Sequence, residues 1–235
     1  MQAIVLAAGR GTRMRGLCDA VPKPMLPVAN RPVLDVIVQR LAIAGIDRVF
    51  LVVGHLASHI QNHFRQFPPP VPVEFIIQEK ARGTGHAALL GRGRMKEDPF
   101  LLAFGDIFVS GHNYTGMVAR FDESRPDILL ATRYVDDPWR GAAVYLDNRG
   151  QVTRIVEKPP PGSSTTHYDN AGVFCFKPRI WDLLEEVKLS PRGEYELTDA
   201  IAATLAEKGR ILAYELAGYW LNLTGPEEML QASRC

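Results

Sequence analysis

The residues best suited to chemistry come at the start of the chain. The apolar run Ala3-Ile4-Val5-Leu6-Ala7-Ala8 ends in Gly9-Arg10-Gly11-Thr12-Arg13-Met14, and Pro22-Lys23-Pro24 follows closely. Glycines let backbone N–H groups approach an anion, and Arg10, Arg13 and Lys23 add positive charge, so the loop is suited to a polyphosphate. No Gly-Lys-Ser/Thr closes it, so it is not a Walker loop. Met14 stands where a dinucleotide fingerprint needs its third glycine.

Further candidates recur along the chain. Asp106 follows Phe100–Gly105. A carboxylate there could hold Mg²⁺, which takes one or two protein oxygens and fills its other positions with water and phosphate; a helix cap or a salt-bridged loop residue is the alternative. Gln78 precedes Gly83-Thr84-Gly85-His86. Its amide can donate and accept at the edge of a base, and a helix starting near Thr84 could offer its N-terminus to an anion. Capping, with Gln78 on a solvated face, is the competing reading. Glu157-Lys158-Pro159 could hold a monophosphate and accept from hydroxyls, or be an exposed strand end. Asn170-Ala171-Gly172 and Gly193–Asp199 could bind sugar hydroxyls, with Thr198 and Asp199 equally suited to capping. His55, His59 and His63 are spaced by four, as a solvated helical stripe with no acid or cysteine to complete a metal site. No Gly-x-Ser-x-Gly elbow or Cys/His pairing suggests a nucleophile.

These residues need a scaffold. Short β-branched runs at Gln2–Leu6, Arg48–Val53, Val73–Ile77, Pro99–Ala103 and Asp127–Arg133 alternate with helical patterns at Arg31–Ala44, Leu56–Arg65, about Gly83 to Met95, and Tyr114–Glu123. That alternation predicts a parallel sheet covered by helices. In such sheets ligands sit beyond the carboxyl ends of the strands, where Ala8–Arg13, Gln78–Gly85 and Gly105-Asp106 fall. Later strands at Ala142–Leu146, Val152–Val156 and Ala171–Phe176 lack strict alternation and suggest a smaller mixed sheet over the mouth of the first. Pro159–Thr166 reads as a mobile loop. Helices are expected at Arg179–Val187, Leu197–Glu207 and Pro226–Ala232, with a strand at Arg210–Leu216.

Composition narrows the field. The 235 residues suit one α/β domain with a substantial core, or at most a domain plus a small lobe, with a change of character in the second half, from about residue 136. With 46% apolar residues, 23% charged residues and a net charge of +1, nothing points to non-specific nucleic-acid or membrane affinity. No apolar run reaches the roughly 20 residues of a membrane span, and no secretory signal is visible. The three cysteines, Cys18, Cys175 and Cys235, have no paired spacing and read as free thiols, which places the chain in the cytoplasm. Self-association is left open.

In order along nearly the whole chain, the motifs resemble the sugar-1-phosphate nucleotidyltransferases. The matching pieces are Leu6–Met14, Pro22-Lys23-Pro24, Gln78 with Gly83-Thr84-Gly85, Gly105-Asp106, Val156–Pro159, Asn170-Ala171-Gly172, Glu194–Asp199 and Trp220-Leu221-Asn222. The resemblance implies a Rossmann-like three-layer α/β sandwich, with a mainly parallel central sheet and a small sugar-binding lid sheet. It also implies Mg²⁺-dependent in-line attack of a sugar-1-phosphate oxygen on the α-phosphorus of a nucleoside triphosphate. On this reading Arg13, Lys23 and Lys158 are catalytic, and Leu6, Ala8, Gly9, Gly11, Thr12, Gln78, Gly83 and Thr84 hold the nucleotide. Gly141, Glu157, Asn170 and Glu196 line the sugar pocket, and Asp106 and Asn222 bind Mg²⁺.

Many relatives have aspartate where Asn222 stands. Asparagine there, together with Gly83–Ala87, is similar to the uridylyltransferase domain of the N-acetylglucosamine-1-phosphate enzymes and favours UTP. Glu157-Lys158-Pro159 and Asn170-Ala171-Gly172 look more like the glucose- and mannose-1-phosphate branches. Competing readings are a guanylyl- or thymidylyltransferase on a hexose or heptose 1-phosphate, a cytidylyltransferase for a phospho-alcohol, a non-catalytic regulatory homologue and a dinucleotide-binding oxidoreductase. The left-handed β-helix of several relatives is not seen, so no acetyltransferase or allosteric domain is expected.

Overall fold

The computed structural model describes residues 1–9, 11, 21–28, 30–223 and 225–234. The strands are β1 (Gln2–Ala7), β2 (Pro27–Val28), β3 (Arg31–Pro32), β4 (Arg48–Val53), β5 (Val73–Ile77), β6 (Phe100–Phe104), β7 (Ile107–Val109), β8 (Ile128–Tyr134), β9 (Ala142–Leu146), β10 (Val152–Glu157), β11 (Tyr168–Phe176), β12 (Ile211–Glu215) and β13 (Trp220–Asn222). The helices are α1 (Val33–Ile43), α2 (Ala57–Gln66), α3 (Thr84–Leu89), α4 (His112–Ser124), α5 (Ile180–Glu186), α6 (Leu197–Ala206) and α7 (Pro226–Ala232).

Strands β1, β4, β5 and β6 are mutually parallel, in the order β6-β1-β4-β5. Strand β11 runs against β6, β8 and β9, and β12 pairs parallel with β8. All nine strands of this central sheet except β10 and β11 therefore point one way. Burial on both faces explains the near-continuous apolar strands. In β1, Ala3, Val5 and Ala7 pack with Leu34, Ile37 and Leu41 of α1 and with Met117 and Phe121 of α4. Ile4 and Ala8 face the opposite layer, where Ala88, Trp181 and Ile201 from α3, α5 and α6 lie. Three layers result, anchored on the second side by Phe100 stacked on Trp181 at 4.4 Å.

The small second sheet expected from sequence is an extension that shares β11 with the central sheet. The first part of β11 pairs with β9 through Tyr168 and Asp169, and its last part pairs with β6 from Val173 onward. Between them Asn170–Gly172 changes partners, with Gly172 at φ +76. A side chain at Gly172 would come within 2.4 Å of Ile107 and 2.8 Å of Phe104, so glycine is required. The switch opens a cleft at the end of β6.

Element boundaries differ from expectation where glycine intervenes. Helix α3 stops at Leu89 instead of continuing to Met95. Gly91 packs so closely on Ile4 that a Cβ would sit 2.8 Å from it, and Gly93 has φ +74. The segment read as a mobile loop is tied down, with the Gly162 amide donating to Asp137 and the Thr166 hydroxyl to the Val144 carbonyl. Among the described residues no helix is long and apolar enough to cross a membrane. Cys175 is buried and unpaired, whereas Cys18 and Cys235 lie outside the described residues.

Candidate active site

The carboxyl ends of β1, β4, β5 and β6 carry Ala8-Gly9, Gly54, Gln78 and Gly105-Asp106 onto one edge of the sheet. The backbones here are close: a Cβ at Gly54 would lie 3.1 Å from the carbonyls of both Ala8 and Gln78. From Asp106 the chain enters β7, whose antiparallel partner is β13, with Asn222 opposite Ile107. The Leu223 amide donates to the Asp106 carbonyl at 3.1 Å, so residues 117 apart in sequence become neighbours. Lys23 reaches the same point from a 3-10 turn, Lys23–Met25, that begins after Pro22. Its ammonium donates to Asp106 Oδ2 at 2.5 Å and to Asn222 Oδ1 at 3.2 Å.

A carboxylate oxygen and an amide oxygen thus converge on one cation. That pair is the hard-oxygen donor set Mg²⁺ accepts when phosphate and water complete its shell. The residues fit such an ion, with Asp106 supplying the charge and Asn222 a neutral oxygen.

Beside this point lies a cavity of about 430 Å³ bounded by Leu6, Ala8, Gly9, Lys23, Gln78, Gly83, Thr84 and Asp106. Gln78 is only 6% exposed, so it does not lie on a solvated face. Its Nε2 meets His86 Nδ1 at 2.9 Å. Burial, and then the Arg82 guanidinium, lower the His86 pKa from its ordinary value.

Gly83 enters α3 at φ +102, and a Cβ there would stand 2.4 Å from the Tyr195 carbonyl oxygen. The strands of this lock are backbone: Tyr195 N–H donates to the Arg82 carbonyl and Gly85 N–H to the Tyr195 carbonyl, both at 2.8 Å. Thr84 Oγ1 accepts from the Leu197 amide at 3.1 Å. The Gly85 amide at the start of α3 is therefore committed to protein instead of being free for an anion. Gly11 has φ +61, and Arg10, Thr12 and Arg13 lie outside the described residues.

A second cavity, about 590 Å³, brings together Gly141, Glu157, Lys158, Asn170, Glu196 and Asn222. Lys158 has φ +41 and is held by its amide to the Gly141 carbonyl at 2.8 Å. Its ammonium makes no ion pair among the described residues. Glu157 is largely buried and accepts from Thr198 Oγ1 at 3.1 Å. Burial, reinforced by Glu196, raises its pKa; burial likewise raises that of Glu196. Arg192 offsets these charges, 3.3 Å from Glu157, 3.2 Å from Glu194 and 3.1 Å from Glu196. Asn170 turns its Oδ1 onto the Gly172 amide at 2.9 Å, fixing the loop at the partner switch.

Several residues here were not singled out from sequence. Buried Asp169 accepts from Arg133 at 2.8 Å and from the Ala142 amide at 3.0 Å, and a Cβ on Gly141 would lie 2.1 Å from its Oδ1. The Arg133 guanidinium lies 3.4 Å from the centre of the Trp220 ring, whose Nε1 donates to the Ala171 carbonyl at 3.0 Å. This stack joins β8, β11 and β13, and so sets the strand that carries Asn222. Asp169 adjoins Asn170 in the motif, which was the available signal. Arg133 carried none, because its partners are distant in sequence; His86 stood in the Gly83–His86 motif, but its contact with Gln78 was not readable there. Of the histidine stripe, His55 precedes α2 and His59 is exposed, but the His63 side chain is only 14% exposed, 3.9 Å from Asp35. No group of three metal-binding side chains occurs among the described residues.

The two cavities share Thr84, Phe104, Asp106 and Glu194, so they form one cleft with Asp106 at the junction. Two ligands, one in each half, would meet beside the Lys23 ammonium.

The profile of the nucleotidyl transferase family matches residues 2–234. The chain is 34% identical over 238 residues to the bifunctional protein GlmU of Methanococcus maripaludis (strain C5), covering 99% of this chain and 54% of that protein. It is also 34% identical over 238 residues to a glucose-1-phosphate thymidylyltransferase of Streptomyces griseus, covering 100% of this chain and 65% of that one. The chain thus spans about half the length of the first of these relatives. A UDP-glucose pyrophosphorylase complexed with UDP-glucose has the same fold, with a TM-score of 0.89 at 23% identity, covering 99% of this chain and 97% of the other.

Proposed function

We propose that this chain, which belongs to the sugar-1-phosphate nucleotidyltransferase family, condenses a nucleoside triphosphate, preferentially UTP, with a sugar 1-phosphate. A phosphate oxygen of the sugar bonds to the α-phosphorus; the bond from that phosphorus to the oxygen bridging to the β-phosphorus breaks; pyrophosphate leaves with the electron pair. The attacking group is already an anion, so no base is required.

The observation that carries this reading is the meeting of two cavities at Lys23 and Asp106. The nucleotide occupies the half under Gln78 and Gly83, with Leu6, Ala8, Gly9, Gly11, Thr12 and Thr84 along its phosphates and ribose, and Arg13 on the leaving pyrophosphate. The sugar occupies the half lined by Gly141, Glu157, Asn170 and Glu196, with Lys158 on its phosphate. Asp106 and Asn222 hold Mg²⁺, which neutralises phosphate charge when bound. Lys23 contacts the α-phosphate region. The residues bring two polyanions into line and cancel their repulsion, and positioning supplies the acceleration.

The whole chain acts as one nucleotidyltransferase domain in the cytoplasm. A guanylyl- or thymidylyltransferase on a hexose or heptose 1-phosphate is the second reading, favoured by the Streptomyces griseus relative. The retained Lys23–Asp106 pair disfavours a non-catalytic homologue.

The test is a matrix of nucleoside triphosphates against sugar 1-phosphates, read by pyrophosphate release with and without Mg²⁺. The expected result is Mg²⁺-dependent release that requires both substrates and is greatest with UTP. Absence of release with every pair would refute the proposal.

A further inference from the structure

We propose that His86 is a positioning residue that fixes the orientation of the Gln78 amide, and thereby selects bases bearing an imino N–H. This deepens the reading of the Gln78 cavity as the nucleotide half, and it rests on that reading.

Gln78 Nε2 and His86 Nδ1 lie 2.9 Å apart. An amide nitrogen only donates, so Nδ1 must be the lone-pair nitrogen, and the ring is neutral with its proton on Nε2. The groups set against the ring favour that form. Burial and the Arg82 cation both disfavour an imidazolium, and from the segment before α6 comes the Tyr195 ring, its centre 6.5 Å away.

With Nε2 engaged, Gln78 Oε1 is left over. No described residue donates to Oε1, and Gln78 lines the nucleotide cavity. An acceptor facing a cavity with no protein donor is open to a donor from a ligand. The amide therefore presents an acceptor, with the second Nε2 hydrogen beside it. Along a base edge, that order complements an imino N–H next to a carbonyl, the arrangement in uracil, thymine and guanine. Cytosine and adenine present a ring acceptor next to an amino group. They pair only if the amide turns over, which would set Oε1 against the His86 lone pair. Protonation of His86 makes Nδ1 a donor and permits that turn.

The test compares the intact chain as wild type, His86→Ala and His86→Asp, measuring UTP and CTP affinity and, with a sugar 1-phosphate, kcat/KM. Circular dichroism checks the fold of each variant. UTP and CTP share ribose and triphosphate, so their ratio isolates the base. Wild type should prefer UTP by at least about tenfold near neutral pH, and His86→Ala should lose most of that preference, since a mispaired buried amide is what rejects the wrong base. His86→Asp, an acceptor when ionised, should retain it. Acidification through the His86 pKa, which lies below its ordinary value, should erode the preference of wild type but not of His86→Asp. An unchanged ratio in His86→Ala, no UTP preference in wild type, or equal pH dependence in wild type and His86→Asp would each overturn the inference while nucleotide binding and turnover remain. Failure of every nucleoside triphosphate to bind would instead overturn the assigned function, and the inference with it.

Discussion

Replacing Gly83 with alanine should cost far more than the same change at another left-handed glycine. Gly83 has φ +102, and its Cβ would lie 2.4 Å from the carbonyl oxygen and 2.8 Å from the amide nitrogen of Tyr195. Both atoms are backbone, so no rotamer relieves the contact. Gly93 has φ +74 with nothing within 4 Å, so Gly93→Ala reports the conformational cost alone, about 1–2 kcal/mol. Gly83→Ala carries that cost and must also separate the Tyr195 segment from α3. This breaks the Tyr195–Arg82 and Gly85–Tyr195 hydrogen bonds, worth about 1 kcal/mol each. The total is about 3–4 kcal/mol, roughly 2 kcal/mol beyond the control. Urea unfolding of wild type and both variants measures the difference, with similar m-values required for a like comparison. Because the lock joins the two halves of the cleft, Gly83→Ala should also weaken nucleotide and sugar-phosphate binding together. A Gly83→Ala loss no greater than that of Gly93→Ala would refute the reasoning, because the clash would then be costless.

Lys23→Ala and Asp106→Ala should each lower turnover by at least about 10³-fold with the circular dichroism spectrum unchanged, as expected for groups that stabilise developing charge; near-wild-type rates would remove their assigned roles. Lys158→Ala should raise the KM for sugar 1-phosphate by about 10–100-fold, the worth of a charge-assisted hydrogen bond, with nucleotide affinity retained; a selective loss of triphosphate affinity would contradict it. Asp169→Ala leaves the Arg133 guanidinium without its carboxylate and should destabilise the fold by about 2–4 kcal/mol in thermal or urea unfolding. Burial raises the Glu157 pKa, so the native state holds a proton that the unfolded state has released. The Glu157 contribution to stability should therefore increase as pH falls through its raised pKa toward the ordinary glutamate value of 4.5, and Glu157→Gln should flatten that part of the stability–pH curve. A steeper curve in the variant would reverse the assigned sign.

What the sequence by itself determined was the local grammar. Strand β9 and helix α7 run over the residues read from sequence, because β-branched and apolar periodicity are short-range signals. The glycine-rich end of β1, Gln78 after β5 and Asp106 after β6 were legible as a single edge, since parallel strands put their carboxyl ends together. The resemblance added names for the substrates and for Gly141 and Asn222, which periodicity could not supply.

Tertiary structure alone decided how those pieces meet. The short strands β7 and β13 carry no periodic pattern of their own, yet their pairing brings Asn222 to Asp106 and both to Lys23. Arg133, Asp169 and Trp220 come from three strands distant in sequence, and their contacts shape the cavity that holds Glu157 and Asn170. Gln78 read as either a solvated cap or a base reader; burial beneath the loop, with His86 on its amide nitrogen, removed the first reading. Such facts escape a linear reading because an unpaired polar atom is defined by what surrounds it, and the surroundings here are assembled from distant segments.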